Sequence, residues 1–213
     1  RGHKINPSPI EEYCKKNKIS FRNPEILNTQ EEFKIFKELS ANLIIVVAYG
    51  KIIPKIFLNN IKFGFINIHA SLLPKWRGAS PVQHALMNND KATGYTFIIM
   101  NERLDEGKII YKEKINIDTT YDYATLLQKI ISSASKVLVS KIEDLSNNII
   151  KPKTQIHSEA SYCYKIKKDD KYLKFNVSAK EVLGKIRAFS PNPGAKCFIQ
   201  GELVKILDAK IED

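Results

Sequence analysis

The sequence predicts an α/β fold, and three observations support this class. Apolar runs of strand length alternate with amphipathic helical patterns as far as Leu145, the order typical of α/β domains. Residues 43–49, LIIVVAY, are apolar on both faces, as in a central parallel strand covered by helices. Residues 147–161 are polar, contain a proline and have no clear period, so we interpret them as a linker or surface strap. The tail beyond them is expected to belong to a separate structure.

Capping patterns mark the first two helices. A capping box in residues 8–11 predicts a helix that runs to about Lys18, and a second in residues 29–32 predicts a helix that ends near Leu39. Between them, residues 19–21 favour a short strand.

The next predicted elements are a short helical turn, a strand and a helix. After the strand 43–49 we expect a short helical turn at Pro54 and a second strand over residues 65–69. A helix then opens at residues 80–81, a cap followed by a proline, and ends at the polar residues 88–90.

Two strands and a long helix complete the main pattern. Residues 95–100 and 108–117 are predicted strands joined by the polar connection 101–107. A long amphipathic helix follows over residues 123–145. Its predicted apolar face consists of Leu127, Ile130, Ile131, Ala134, Leu138, Ile142 and Leu145.

Charge is distributed unevenly along the chain. The formal net charge is +11, and the excess of basic residues lies in residues 1–24 and 151–213, on either side of a nearly neutral middle. This arrangement suits an enzyme that catalyses with its middle and holds a polyanion at its periphery. Lys also greatly outnumbers Arg, as AT-rich coding produces, so charge alone leaves the nucleic-acid interpretation open.

Cysteine spacing and hydropathy argue against several classes of protein. Cys14, Cys163 and Cys197 are far apart and form no CxxC pair, which indicates neither a disulfide framework nor a zinc site and favours a reducing compartment. The longest wholly apolar run, 43–49, is far shorter than the roughly 20 residues of a membrane helix. We recognise no signal peptide, and a start without Met or an opening strand suggests that the natural N-terminus is absent.

The stretch FINIHASLLPKWRG, residues 65–78, carries the candidate chemistry. Asn67 and His69 are two residues apart in a strand and therefore share one face, at the strand's carboxyl end where α/β sheets bind ligands. Asp105, in the connection 101–107, can reach the imidazole and orient it. The alternative interpretation is a strand end with a satisfied polar pair and a basic loop.

Together these three side chains offer a neutral hydrogen-bond donor, a proton-transfer group and an orienting anion. Ser71 lacks the G-x-S-x-G elbow of an activated serine, so we interpret it as a turn residue. The other histidines lie in unrelated segments and indicate no metal site. The pattern favours direct transfer of an acyl-like carbon, with the oxyanion held by Asn67 and His69.

The motif N-I-H-x-S-L-L-P-K-W-R-G-A-x-P, followed by L-D-x-G, closely resembles the folate-dependent formyltransferases. The resemblance covers essentially the whole chain. The opening RGHKINPSPI resembles the basic insertion loop of the members that act on methionyl initiator tRNA, and VVAYGKIIP resembles the family's folate-pocket strand and loop. The implied reaction transfers a formyl group from 10-formyltetrahydrofolate to the α-amino group of methionyl initiator tRNA, at translation initiation. The resemblance implies no metal cofactor for this reaction.

The resemblance also assigns roles to individual residues. It implies that Asn67, His69 and Asp105 are catalytic. The residues that fall in the folate-binding positions are Gly50, Lys51, Ile52, Ile53, Leu104 and Asp105. Those expected to bind the substrate or the tRNA are Arg1, Lys4, Ser71, Leu72, Leu73, Pro74, Lys75 and Arg77.

The resemblance implies a domain organisation as well. We expect a Rossmann-like formyltransferase domain with a mostly parallel sheet over residues 1–146, a linker over 147–177, and the start of an OB-like, tRNA-binding β-barrel domain over 178–213. The family's first β-α-β segment and the end of its barrel are expected to be missing. The protein is expected to be a monomer without a membrane partner, in a bacterial cytosol or an organellar matrix. Arg103 stands where the family usually has Gly, and Glu106 where Thr is common.

Three other functions remain open at this point. A sugar amine N-formyltransferase would share the catalytic trio but lack the RGHKINPSPI insertion and the RGAxP-Gln pattern that ends in Gln83. A glycinamide ribonucleotide formyltransferase would end near the long helix. A non-catalytic RNA-binding remnant would use the basic ends without turnover, and the intact trio argues against it.

Overall fold

The computed structural model describes residues 7–212. It divides the chain into two compact units, residues 1–40 and residues 41–213. In the described part of the chain, no helix is long and apolar enough to cross a membrane.

The first unit contains two helices, α1 (Pro9–Lys16) and α2 (Gln30–Glu38). Their predicted caps are confirmed, because Ser8 Oγ accepts the Glu11 amide at 3.2 Å and Thr29 Oγ1 accepts the Glu32 amide at 3.1 Å. The short strand predicted over residues 19–21 is wrong. The Ile19 amide donates to the Cys14 carbonyl at 2.9 Å, so it closes the end of α1 and does not join a strand.

The second unit is built on a four-stranded sheet with the order β1-β2-β4-β5. The predicted α/β class is confirmed, but within this sheet β1 and β2 form the one parallel pair, while β4 runs antiparallel to both β2 and β5. The connection between β4 and β5 is too short for a parallel crossover, which needs about a dozen residues or more. Among the described strands, the expected mostly parallel sheet is therefore a mixed one. The bounds are β1 Ile44–Val46, β2 Phe65–His69, β3 Arg77–Gly78, β4 Ala92–Ile99 and β5 Lys108–Asn116.

Three helices accompany these strands: α3 (Lys55–Leu58), α4 (Pro81–Met87) and α5 (Tyr123–Ser146). Helix α4 begins at the predicted proline, although the Ser80 side chain makes no capping bond. Helix α5 packs on the sheet with a slightly different face from the predicted one, since Leu126 is fully buried and Ile131 is 48% exposed. The two faces differ by about one residue of helical rotation, which hydropathy alone does not resolve.

The C-terminal part contains β6 (Tyr162–Cys163), α6 (Ala179–Phe189), β7 (Ala195–Ile199) and β8 (Glu202–Ile206). Strand β6 pairs in parallel with β3, and β7 pairs with β8 in a two-stranded antiparallel sheet, consistent with the start of a small barrel. Helix α6 crosses α4 closely, because a Cβ added at Gly184 would lie 2.8 Å from the Leu86 carbonyl oxygen. The domain boundaries at 146 and 178 stay predictions.

Candidate active site

The structure brings Asn67, His69 and Asp105 together. Strand β2 presents the first two on one face, as its alternation predicts. Asp105 comes from the connection between β4 and β5. Asn67 Nδ2 donates to Asp105 Oδ1 at 3.2 Å, and His69 Nδ1 lies 3.6 Å from Asp105 Oδ2. One carboxylate therefore faces both of the other side chains.

The His69 ring is held from its other side by the backbone of Trp76. His69 Nε2 lies 2.8 Å from the Trp76 carbonyl oxygen, and because a carbonyl only accepts, Nε2 must carry the hydrogen. The distance of 3.6 Å to Asp105 is an ion-pair distance and not a hydrogen bond. Nδ1 is thus the ring nitrogen that can exchange a proton, beside an anion.

Asp105 is held in an uncommon backbone conformation, with φ of 52° in the left-handed region. Its Oδ2 accepts the Gly78 amide at 2.8 Å, and its side chain is only 12% exposed. Asn67 uses one of its two amide hydrogens on Oδ1. A non-glycine residue in this region, supported by two donors to its carboxylate, is typical of a functional site.

Gly78 supplies one of those two donors from its backbone amide, at a position that has no room for a side chain. Its φ is +117°, and a Cβ built there would lie 2.1 Å from the Cys163 carbonyl oxygen on the paired strand β6. Only glycine tolerates this approach. The glycine of the RG pair in the motif is therefore required by this close approach of the two strands.

Two loops with predicted folate-binding residues lie side by side. Lys55 Nζ, just after the 50–53 loop, pairs with Glu102 Oε1 at 2.8 Å in the Asp105 connection. Ile52 is 91% exposed and Leu104 is 63% exposed, so both offer apolar surface, whereas Ile53 is buried and packs inside. Folate binding by these residues stays a prediction.

Comparison with known proteins places the chain in a family. Residues 1–142 match the formyl transferase family, and residues 165–213 match the formyl transferase C-terminal domain. The chain is 41% identical to a methionyl-tRNA formyltransferase of Pelagibacter ubique over 99% of this chain and 68% of that protein. This chain belongs to the methionyl-tRNA formyltransferase family. A second relative, the methionyl-tRNA formyltransferase of Thermotoga neapolitana, is 36% identical over 100% of this chain and 68% of its own length.

Solved structures agree with this methionyl-tRNA formyltransferase family assignment at the level of the fold. HypX from Aquifex aeolicus in complex with tetrahydrofolic acid superposes with a TM-score of 0.70 at 20% identity, covering 82% of this chain and 30% of that one. A sugar N-formyltransferase from Shewanella sp FDAARGOS_354 gives 0.71 at 22% identity, covering 88% of this chain and 77% of that one.

Several residues predicted to contact the substrate or tRNA are buried in this methionyl-tRNA formyltransferase family member. Ser71, Leu73 and Arg77 are fully buried, and Pro74 is buried as well. Leu72 is half-buried, and the exposed Lys75 pairs with Asp90 at 2.8 Å. Arg1 and Lys4 lie outside the described residues. Contact of the 71–78 loop with the substrate or the tRNA stays a prediction. The loop folds into the protein because its backbone bonds to residues 161–163.

Arg77 shows this most clearly. Its Nε and Nη2 donate to Gln155 Oε1 at 3.1 and 2.8 Å, and its Nη1 pairs with Glu106 Oε1 at 3.2 Å. Glu106, which departs from the family's usual residue, is therefore the counter-ion of a buried arginine. Arg77 was predicted to bind the substrate or the tRNA. The structure places its side chain inside the fold, and the binding role stays a prediction.

Residues 155–163 contribute to the site, although the sequence predicted only a linker or strap. Cys163 is buried, and burial raises the pKa of its thiol, which argues against a thiolate nucleophile beside the trio. Gln155 is 4% exposed and bonds directly to the Asp105 backbone. In the sequence Gln155 is one polar residue among many in an aperiodic polar segment, and nothing there distinguishes it from its neighbours. Within residues 7–212, no group of three or more His, Cys, Asp or Glu is placed to hold a metal ion.

Proposed function

We propose that this protein transfers a formyl group from 10-formyltetrahydrofolate to the α-amino group of methionyl initiator tRNA, and so acts at translation initiation. The observation that carries the proposal is the cluster of Asn67, His69 and Asp105, in which one amide hydrogen of Asn67 and Nδ1 of His69 are not engaged in the hydrogen bonds described above. The names of the curated relatives cited here, which are methionyl-tRNA formyltransferases, support the choice of acceptor.

In the proposed reaction the amine attacks the formyl carbon and the carbon's bond to the folate nitrogen breaks. The second amide hydrogen of Asn67 stabilises the oxyanion of the tetrahedral intermediate. The sequence-based hypothesis gave His69 a share in this task, but its Nε2 hydrogen is directed to Trp76, so we assign the oxyanion to Asn67. The amine's proton passes to the pair formed by His69 Nδ1 and Asp105, and a proton returns to the folate nitrogen as it leaves.

The partners follow from the chemistry of the surface. The apolar side chains of Ile52 and Leu104 offer contacts for the flat ring of the folate, beside Gly50 and Lys51. The net charge of +11 suits a tRNA, whose binding we expect to weaken as salt rises. A monomer in the cytosol is the state that we propose for the protein.

The test compares two substitutions of asparagine by alanine. Asn67→Ala should lower kcat for formyl transfer to methionyl-tRNA by about 100- to 1,000-fold, the usual cost of losing one oxyanion donor. Asn116→Ala, at the exposed end of β5, is the matched control and should leave kcat unchanged.

The acceptor is tested in the same assay. Formylation of a sugar amine with none of methionyl-tRNA would contradict the proposal, and so would RNA binding without any turnover. An Asn67→Ala variant as active as the wild type would overturn the role of the trio.

A further inference from the structure

Residues 153–163, here called the strap, are bonded along most of their length to the segments that carry the site. At one end, Lys153 forms a β-bridge with Ile109, just beyond the Asp105 connection. At the other, Ser161 Oγ accepts the Trp76 amide at 3.0 Å and the Ser161 carbonyl accepts the Arg77 amide at 2.8 Å. The strap therefore contacts the start of β5, just after the Asp105 connection, and the 71–78 loop, whose backbone bonds to His69 and Asp105.

Gln155 lies at the centre of the strap and uses both ends of its amide. Its Nε2 donates to the Asp105 carbonyl and the Gly107 carbonyl, each at 2.8 Å. Its Oε1 accepts two hydrogens from the Arg77 guanidinium. These four hydrogen bonds, made with three residues, fix the orientation of the amide, because carbonyl oxygens only accept and a guanidinium only donates.

We propose that Gln155 is a positioning residue for the catalytic carboxylate of Asp105, an inference that rests on the proposed function. It completes a closed ring of contacts. Gln155 holds the Asp105 backbone, Asp105 Oδ2 accepts the Gly78 amide, and Gly78 follows Arg77, whose guanidinium returns to Gln155. The ring couples strand β3 to the Asp105 connection, so the carboxylate keeps its distance to Asn67 and His69.

Only an amide of this length satisfies the site. A carboxylate at the same position still accepts from Arg77, but its second oxygen faces two carbonyl oxygens and repels them. An apolar side chain removes the Gln155 bonds of Arg77 Nε and Nη2 and of both carbonyls in a buried place. The left-handed backbone of Asp105 makes the support necessary, since that conformation persists only where neighbouring contacts impose it.

The test replaces Gln155 with Glu, which retains the size of the side chain and its contact with Arg77. We expect Gln155→Glu to lower kcat by about 10- to 100-fold, the cost of a misplaced catalytic group, while KM for methionyl-tRNA stays unchanged. The pH dependence of kcat should also shift, because Asp105 sits differently beside His69. The matched control is Gln128→Glu on the exposed face of α5, which should change neither quantity.

A second measurement does not depend on turnover. The Gly78 amide proton, bonded to Asp105 Oδ2, should shift in the NMR spectrum of 15N-labelled Gln155→Glu and stay in place in Gln128→Glu. If the wild type transfers no formyl group, the proposed function fails, and the Gly78 resonance still decides the positioning role.

Two results would overturn the inference. One is an unmoved Gly78 resonance in Gln155→Glu. The other is a loss of activity that only matches the loss of folded protein in thermal unfolding, with kcat per folded molecule unchanged. Gln155→Met serves as a second variant, because it removes the repulsion as well as the bonds and should give the same direction of change.

Discussion

Gly78→Ala is the substitution for which the structure makes the sharpest prediction. The added Cβ would lie 2.1 Å from the Cys163 carbonyl oxygen, and at φ of +117° the residue is in a region that an L-amino acid rarely adopts. Strands β3 and β6 would have to separate by roughly 1.3 Å to lengthen this approach to an ordinary contact of 3.4 Å. Because the Gly78 amide bonds to Asp105, this movement reaches the catalytic carboxylate directly.

The expected cost has two parts. The backbone conformation costs about 1–2 kcal/mol for a residue with a Cβ, and the overlap costs about 1–3 kcal/mol more through strand displacement. We therefore expect a loss of about 2–5 kcal/mol in the free energy of unfolding. A displacement of roughly 1 Å at Asp105 should also lower kcat about 100-fold.

Gly201→Ala provides the matched control for this prediction. Gly201 also has a positive φ, +85°, but a Cβ there would meet no atom within 4 Å. The Gly201→Ala variant should lose only the part of the unfolding free energy that comes from the backbone conformation, about 1–2 kcal/mol. Its kcat should equal that of the wild type. Urea unfolding followed by circular dichroism measures the first quantity, and formyl transfer measures the second. Equal losses of stability in the two variants, or full activity in Gly78→Ala, would refute the reasoning.

Two further predictions concern buried polar groups. Arg77→Met should lower the free energy of unfolding by about 1–3 kcal/mol in urea titrations, because it leaves Oε1 of the buried Gln155 without its two donors. Arg103→Met, with 76% of its side chain exposed beside Glu106, should cost less than about 1 kcal/mol. Similar losses in both would contradict this. Burial lowers the pKa of His84 below 6.5, so the unfolded chain takes up a proton first and stability should fall as pH drops below 6.5. His84→Phe should remove that part of the fall in urea titrations between pH 5 and 8, and an unchanged pH dependence would argue against it.

Local patterns in the sequence predicted much of the secondary structure. The caps at Ser8 and Thr29 and the start of α4 at Pro81 were predicted correctly, because a cap is a bond between residues three positions apart. The shared face of Asn67 and His69 was correct for a similar reason, since side chains alternate along any strand. Asp105 was a candidate because its loop could reach the imidazole, and the family resemblance strengthened it.

The tertiary structure decided which distant residues meet. Arg77 and Gln155 are 78 positions apart, and no local pattern shows that one is buried on the other. The same holds for the antiparallel course of β4 and for the strap, whose residues have no period of their own because they bond to loops. Periodicity reports the bonding of neighbours and the side of an element that faces the core. The path of the chain places Asp105 beside His69 and Gln155 behind Asp105, and that path depends on packing across the whole unit.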